Sequence, residues 1–286
     1  MKKQSKKYEL TEETKTLEGK TLHRIKALRD FGYVKKDDLG GFIESEYNLS
    51  HYDDCWIYSE AQVYDNAIVS GNACVLENAK IYQDAHVSGN CQVYGEAKVF
   101  GNAEIYENAE ITDKVNVYSN AKVFGNVKIN KNAKVCGNSK VFNNALVSGS
   151  VTIADKAWVF GDARVFGAVL ISDNVRVYGN SWIYDNAWIS RYAKVFELAE
   201  VSGNAYITEN AKIFGKAKIF ENAKISGDAN VYGNSKVFGH ATISDSAKVG
   251  GDVKLFGYAR ILDDANVFGN AKISGKEKIS GYTKIY

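Results

Sequence analysis

Thirty-nine consecutive positions spaced six residues apart, from Ile57 to Ile285, hold Val, Ile or Leu. Two residues before each stands Ala in most repeats, with Val115, Val127, Ser139, Val151 and Ser181 among the exceptions. Alternation along a strand puts both of these positions inside and the residues flanking the aliphatic outside. Each aliphatic is followed two and three residues later mostly by pairs such as Gly-Asn, Asp-Asn or Glu-Asn, which accept the left-handed backbone of a sharp corner. Units such as Asn102-Ala103-Glu104-Ile105-Tyr106-Glu107 and Asn222-Ala223-Lys224-Ile225-Ser226-Gly227 carry the whole pattern. Such a period predicts a parallel β-helix. Three hexads close a triangle, so residues eighteen apart stack in columns. The expected fold is all-β: a single-stranded parallel β-helix with a small N-terminal cap. About thirteen triangular coils, each rising about 4.8 Å, give a prism about 60 Å long.

Residues 1–47 fall outside the frame and are expected to cap the solenoid that occupies 48–286, because a first coil exposes unpaired strand edges. Tyr8 to Phe31, with Glu18-Gly19-Lys20 between two alternating segments, reads as a β-hairpin or a hairpin with a short helix. Asp38 to Ile43 reads as a turn and a short strand. His51 sits at the first aliphatic position of the frame and is read as a satisfied histidine beneath the cap. At the other end the phase runs to Ile285, and Glu277 replaces the small inward residue. That carboxylate, beside Lys276 and Lys278, predicts either a charge-protected final coil or end-to-end dimerisation.

Composition narrows the picture. The chain of 286 residues has no proline, as expected where each rung must donate its N–H to the next coil. With 36 basic and 34 acidic residues the net charge is +2, which weighs against bulk attraction to nucleic acid. The basic start Met1 to Lys7 lacks the apolar segment of a secretory signal, and no long apolar run predicts a membrane span. Cys55 and Cys91 share an inward column two coils, or about 9.6 Å, apart, beyond bridging reach. Cys74 and Cys136 point outward on different faces. Free thiols predict a reducing, cytoplasmic compartment. No zinc-spaced Cys/His cluster, phosphate loop or nucleophile elbow is present, so no metal site is expected.

The outward columns differ by face. One runs Tyr106, Phe124, Phe142, Phe160, Tyr178, Phe196, Phe214, Tyr232 before Gly250 interrupts it. Stacked rings would stiffen the wall; an apolar stripe would equally serve a homo-oligomer interface, for which Phe124, Phe142, Phe196, Phe214 and Tyr232 are the candidates. Beside it lie Lys122, Lys140, Trp158, Arg176, Lys194 and Lys212. Aromatics interleaved with cations also suit a single strand of nucleic acid, but the corner acids balance the charge. In the middle coils Leu146, Trp158, Leu170, Trp182, Trp188 and Tyr206 take outward positions where Lys or Glu is usual, with the three tryptophans one per face. Outward Trp and Tyr with Arg is the composition of binding hot spots. The candidate binding residues are therefore Trp158, Trp182, Trp188, Phe160, Tyr178, Tyr184, Arg164 and Arg176. They predict a non-enzymatic binding or assembly protein, and rings beside cations would suit a small-molecule ligand of nucleotide type.

The hexapeptide pattern resembles the left-handed β-helix acyltransferases, and the left hand is implied by that resemblance alone. It also implies an outward histidine as general base and a CoA or acetyl-CoA groove between subunits of a trimer. His86, with Glu104 one coil below, is the weak catalytic candidate; His23, His51 and His240 lie in the cap, beneath it and at a corner. The unbroken phase leaves no extruded loop to close over a substrate, and no other cofactor is expected. A closer resemblance covers the whole chain. Leu22 to Phe31 (Leu-His-Arg-Ile-Lys-Ala-Leu-Arg-Asp-Phe), Asp38-Leu39-Gly40-Gly41-Phe42-Ile43-Glu44 and the hexads that follow are similar to the YdcK-like hexapeptide-repeat proteins of enterobacteria, phages and prophages. That family is assigned to the transferases by fold without an established reaction, so it implies no catalytic residue. Its phage association implies a factor acting on a host protein or signalling molecule.

Overall fold

The computed structural model describes residues 6–286, so the basic stretch Met1 to Ser5 lies outside the described residues. Two compact units, Met1–Gly137 and Asn138–Tyr286, divide the chain. Both are parallel β-solenoids.

The first unit opens with a hairpin. Strand β1 (Tyr8–Leu17) pairs antiparallel with β2 (Lys20–Ala27), from Tyr8 opposite Ala27 to Leu17 opposite Lys20. Glu18 and Gly19 both take positive φ (50° and 80°), the two-residue turn whose twist suits a hairpin. Strand β3 (Leu39–Ile43) pairs antiparallel with β2 but parallel with the rung Gln62–Val63, so it converts one sheet type into the other. Gly40 and Gly41 make this possible by close approach. A Cβ on Gly41 would stand 2.5 Å from the Ala61 carbonyl oxygen and from Ile57 Cγ2, and one on Gly40 would stand 2.5 Å from Ile25 Cγ1.

The carbonyls at the start of the solenoid have no preceding coil to donate to them, and Lys7 takes that role. Its fully buried ammonium donates to the carbonyls of Cys55 (2.9 Å), Tyr52 and Asp53 (both 3.3 Å). Burial lowers its pKa, a cost offset by these bonds. His51 stacks on Tyr8 (4.3 Å), and its Nδ1 accepts from the Lys7 N–H at 3.2 Å. It is half-buried under the hairpin, not a filler of the core.

From Trp56 onward, rungs centred on two residues recur every six residues and pair with the rung eighteen residues later. His86 stands opposite Glu104, Gln92 opposite Glu110 and Lys98 opposite Asn116, which makes three parallel ladders per unit. The second unit repeats this from Lys140–Val141 to Lys284–Ile285. Its ladders are conveniently named for the tryptophans they carry: the Trp158, Trp182 and Trp188 ladders. The aliphatic of each rung and the small residue two before it are buried in both units, except in the final coil, where Ile279 and Ile285 are half-buried and Glu277 is exposed. Among the described residues there is no α-helix, and no helix is long and apolar enough to cross a membrane.

Corners carry a second bonding system. An acidic residue at positive φ accepts the amide N–H of the residue one coil on: Glu77 from Gly95 (2.9 Å), Asp185 from Gly203 (3.0 Å), Glu197 from Gly215 (2.8 Å). The next residue is often Asn, whose amide donates to its counterpart, as in Asn72 to Asn90 to Asn108, each at 3.0 Å. Corner acids thus bond successive coils together as well as setting the turn.

Candidate aromatic binding site

Outward side chains are positioned by the ladder itself: parallel register puts the residues flanking each inward aliphatic directly above their counterparts one coil on. In the first unit Tyr64, Tyr82, Phe100 and Tyr118 stack in succession at 5.1, 4.9 and 5.0 Å between centroids, a column that the sequence reading passed over. Tyr106 stacks on Phe124 at 4.8 Å. In the second unit Phe142, Phe160, Tyr178, Phe196, Phe214 and Tyr232 stack at 4.7 to 5.1 Å with planes within 11° of parallel. Gly250 then lets Tyr232 lean over, since a Cβ there would meet that ring at 2.5 Å, and Tyr232 reaches Phe268 at 6.3 Å. All these rings are half-buried except Tyr64, which is buried, and those inside a column stack on a neighbour at each face. A nucleobase finds no open face between the stacked rings inside these columns.

The sequence-named tryptophans lie on three separate ladders. Trp158 is half-buried, packed edge-on to Phe142 (6.0 Å), with the Arg176 guanidinium 4.4 Å and the Lys140 ammonium 4.9 Å from its ring. Below it Arg176, Lys194 and Lys212 follow in register, beside a shallow hollow of about 770 Å³ with Tyr192 and Asp228. Trp188 is 48% exposed and meets Tyr206 edge-on at 5.0 Å.

Trp182 is placed differently. It is 44% exposed, and on its ladder Arg164 lies above and Glu200 below. The guanidinium rests 5.2 Å from the Trp182 ring. Phe166, two residues beyond Arg164, meets Trp182 edge-on (6.4 Å, 69°). Among the described residues Phe166 and Tyr184, although one coil apart, form no ring stack. Both border a hollow of about 430 Å³ lined by Phe166, Trp182, Tyr184 and Glu200. Glu200 is held by Lys218, Nζ to Oε1 2.7 Å. A second hollow of about 270 Å³ adjoins, sharing Tyr184 and Glu200 and adding Ser202, Lys218 and Phe220. The sequence reading named Arg164, Trp182 and Tyr184 of this group and missed Phe166, Glu200, Ser202, Lys218 and Phe220, all of which eighteen-residue spacing places on the same ladder.

His86 is exposed and in register with Glu104. Both Glu104 oxygens, however, accept from Lys122 (2.8 and 2.9 Å), and the imidazole Nε2 lies 3.3 Å from Ser70 Oγ. His23 Nδ1 lies 3.3 Å from the Thr11 carbonyl in the hairpin, and His240 stacks on Tyr258 at 4.9 Å. Among the described residues no group of three or more His, Cys, Asp or Glu could hold a metal ion. The four cysteines are free, Cys55 and Cys91 buried, Cys74 and Cys136 half-buried.

The family description YdcK Beta solenoid repeat matches residues 61–77 and 171–185. Those two segments are similar to the YdcK beta-solenoid repeat. The second matched segment of YdcK repeat contains Trp182 and Tyr184. No curated protein matches the chain. Among solved structures it is similar to the UDP-N-acetylglucosamine acyltransferase of Francisella novicida, at 16% identity and a TM-score of 0.23, over 65% of this chain and 64% of that one. The match therefore spans just under two thirds of that enzyme's length, and at this similarity no activity follows from it for this chain.

Proposed function

We propose that this protein is a non-catalytic binding scaffold whose recognition surface is the pair of hollows on the Trp182 ladder. One observation carries the reading: Phe166, Trp182 and Tyr184 line a cavity, while the rings of the Phe142 to Tyr232 column are stacked on one another. The hollow combines apolar walls with a few converging polar groups, the general make-up of a small-ligand site. Its walls are rungs of a hydrogen-bonded ladder, so the site is formed before a ligand arrives and little ordering entropy is lost on binding. The His86–Glu104 pair offers weaker support for chemistry, because Lys122 already engages the carboxylate that would orient the imidazole.

Calorimetric titration of the protein and of Trp182→Ala against acidic and neutral oligosaccharides, nucleotides, CoA and acetyl-CoA tests the reading. Binding of at least one compound, weakened in Trp182→Ala with the circular dichroism spectrum unchanged, is expected. Binding of none, or acyl transfer from acetyl-CoA that depends on His86, would replace this reading with another.

A further inference from the structure

The geometry points to an acidic oligosaccharide as the ligand of the Trp182 ladder, a deepening that rests on the binding-scaffold reading. Four features converge. First, the walls formed by Phe166 and Trp182 stand 69° apart. A flat base seeks two parallel faces, whereas a puckered pyranose can set its axial C–H face on one wall and its ring edge on the other.

Second, the two hollows follow one another along the ladder and share Tyr184 and Glu200. Successive coils repeat at about 4.8 Å, close to the length that one pyranose unit adds to a linear glycan. A chain of two or three sugars laid along the ladder therefore meets one pair of side chains per step: Trp182 with Tyr184, Glu200 with Ser202, then Lys218 with Phe220.

Third, polar groups are placed to serve hydroxyls. Lys218 holds Glu200 through Oε1, leaving Oε2 to accept from a sugar hydroxyl, and Ser202 and the remaining ammonium hydrogens of Lys218 supply donors.

Fourth, the charges do not balance. Glu200 is already paired with Lys218, while Arg164 stands two coils above it with Trp182 between them. Among the described residues Arg164 forms no ion pair, and its guanidinium is held on the Trp182 face. An oriented guanidinium with free N–H donors matches a carboxylate in two-point contact. The ligand this charge pattern selects is a uronic or sialic acid, not a neutral sugar.

A glycan array bearing uronic-acid, sialic-acid and neutral oligosaccharides, probed with the protein, Trp182→Ala, Trp182→Leu and Arg164→Gln, tests the inference; AMP is titrated by calorimetry in parallel. The protein is expected to retain acidic glycans. Both Trp182 variants should weaken that binding about tenfold or more, as loss of a central aromatic contact does. Arg164→Gln should reduce the preference for acidic over neutral glycans by about tenfold, the worth of one charge-assisted pair. Retention of neutral glycans alone, or acidic binding that survives both Trp182 variants, overturns the proposal. Binding of AMP through Trp182 with no glycan retained overturns the saccharide while leaving the scaffold reading standing. Silence from every glycan and from AMP counts against both.

Discussion

Phe196 offers a direct measure of what the ring columns contribute. Its faces meet Tyr178 and Phe214, each at 5.0 Å with planes within 5° of parallel. A stacked aromatic pair adds about 0.5–1.5 kcal/mol beyond area burial, so Phe196→Leu, which keeps most of the apolar volume, should cost about 1–3 kcal/mol. The sharper statement concerns pairs of substitutions. Phe196→Leu with Phe214→Leu removes one shared stack, so the double variant should lose less than the sum of the singles by about 0.5–1.5 kcal/mol. Phe160→Leu with Phe214→Leu shares no stack and should be additive. Solenoids open repeat by repeat, so the readout should be local. Hydrogen exchange of the Phe196 amide, which donates to the Ile213 carbonyl at 3.0 Å, and of its neighbours serves this purpose. Strict additivity for the adjacent pair, or equal coupling for the distant one, would show that the rings are merely accommodated by the ladder and contribute nothing by facing one another.

Four further outcomes are expected. Gly41→Ala should destabilise the first unit by about 1–3 kcal/mol through overpacking against Ile57 and the Ala61 carbonyl, read as earlier urea unfolding, whereas the equivalent change at Gly281, which has open space around it, should not be felt through packing. Burial pushes the Cys91 thiol up to about 12, so it should resist aromatic disulfide reagents at pH 8 until the chain is unfolded, when it reacts fully. Hydrogen bonds from Lys128 and then Tyr94 lower the Glu110 carboxyl; its stabilisation is present above the ordinary carboxylate pKa and disappears as pH falls through the lowered value. Glu110→Gln should therefore be less stable than the parent at neutral pH and differ little from it in strong acid, as judged by thermal melts across that range. Lys7→Met should leave the Cys55, Tyr52 and Asp53 carbonyls without their donor and cost about 3 kcal/mol or more, measured by thermal unfolding with the second unit's exchange rates as control.

The solenoid itself was legible because one side chain in six had to be aliphatic and its neighbour two before had to be small; nothing else in a protein produces that period. The eighteen-residue register was legible for the same reason, and it correctly stacked Phe160 on Tyr178 and set Glu104 opposite His86. Tyr64, Tyr82, Phe100 and Tyr118 stand eighteen apart as plainly as the Tyr106 to Tyr232 column, and so do Phe166 and Tyr184, so these neighbours too are legible from spacing alone. Other features could not be read at all. That Lys7 would be the buried donor to an unpaired coil depends on how a hairpin folds back over it, which periodicity does not encode. That Arg164 would lie on Trp182 while Glu200 went to Lys218 depends on rotamer choice among several cations within reach. The corner acids were read as turn formers and charge balance; their bonds to the next coil follow only once the left-handed corner aims the carboxylate along the axis.

The register that pairs each rung with its counterpart eighteen residues on also governs how such a chain can lengthen or shorten. Duplicating one hexad would preserve the interior but advance everything downstream by a third of a revolution. Arg164 and Trp182, or any vertical pair that straddles the insertion, would be left on different walls. Only gains or losses of three hexads at once keep every column in line, so variation in size among chains built this way is expected to come in whole revolutions.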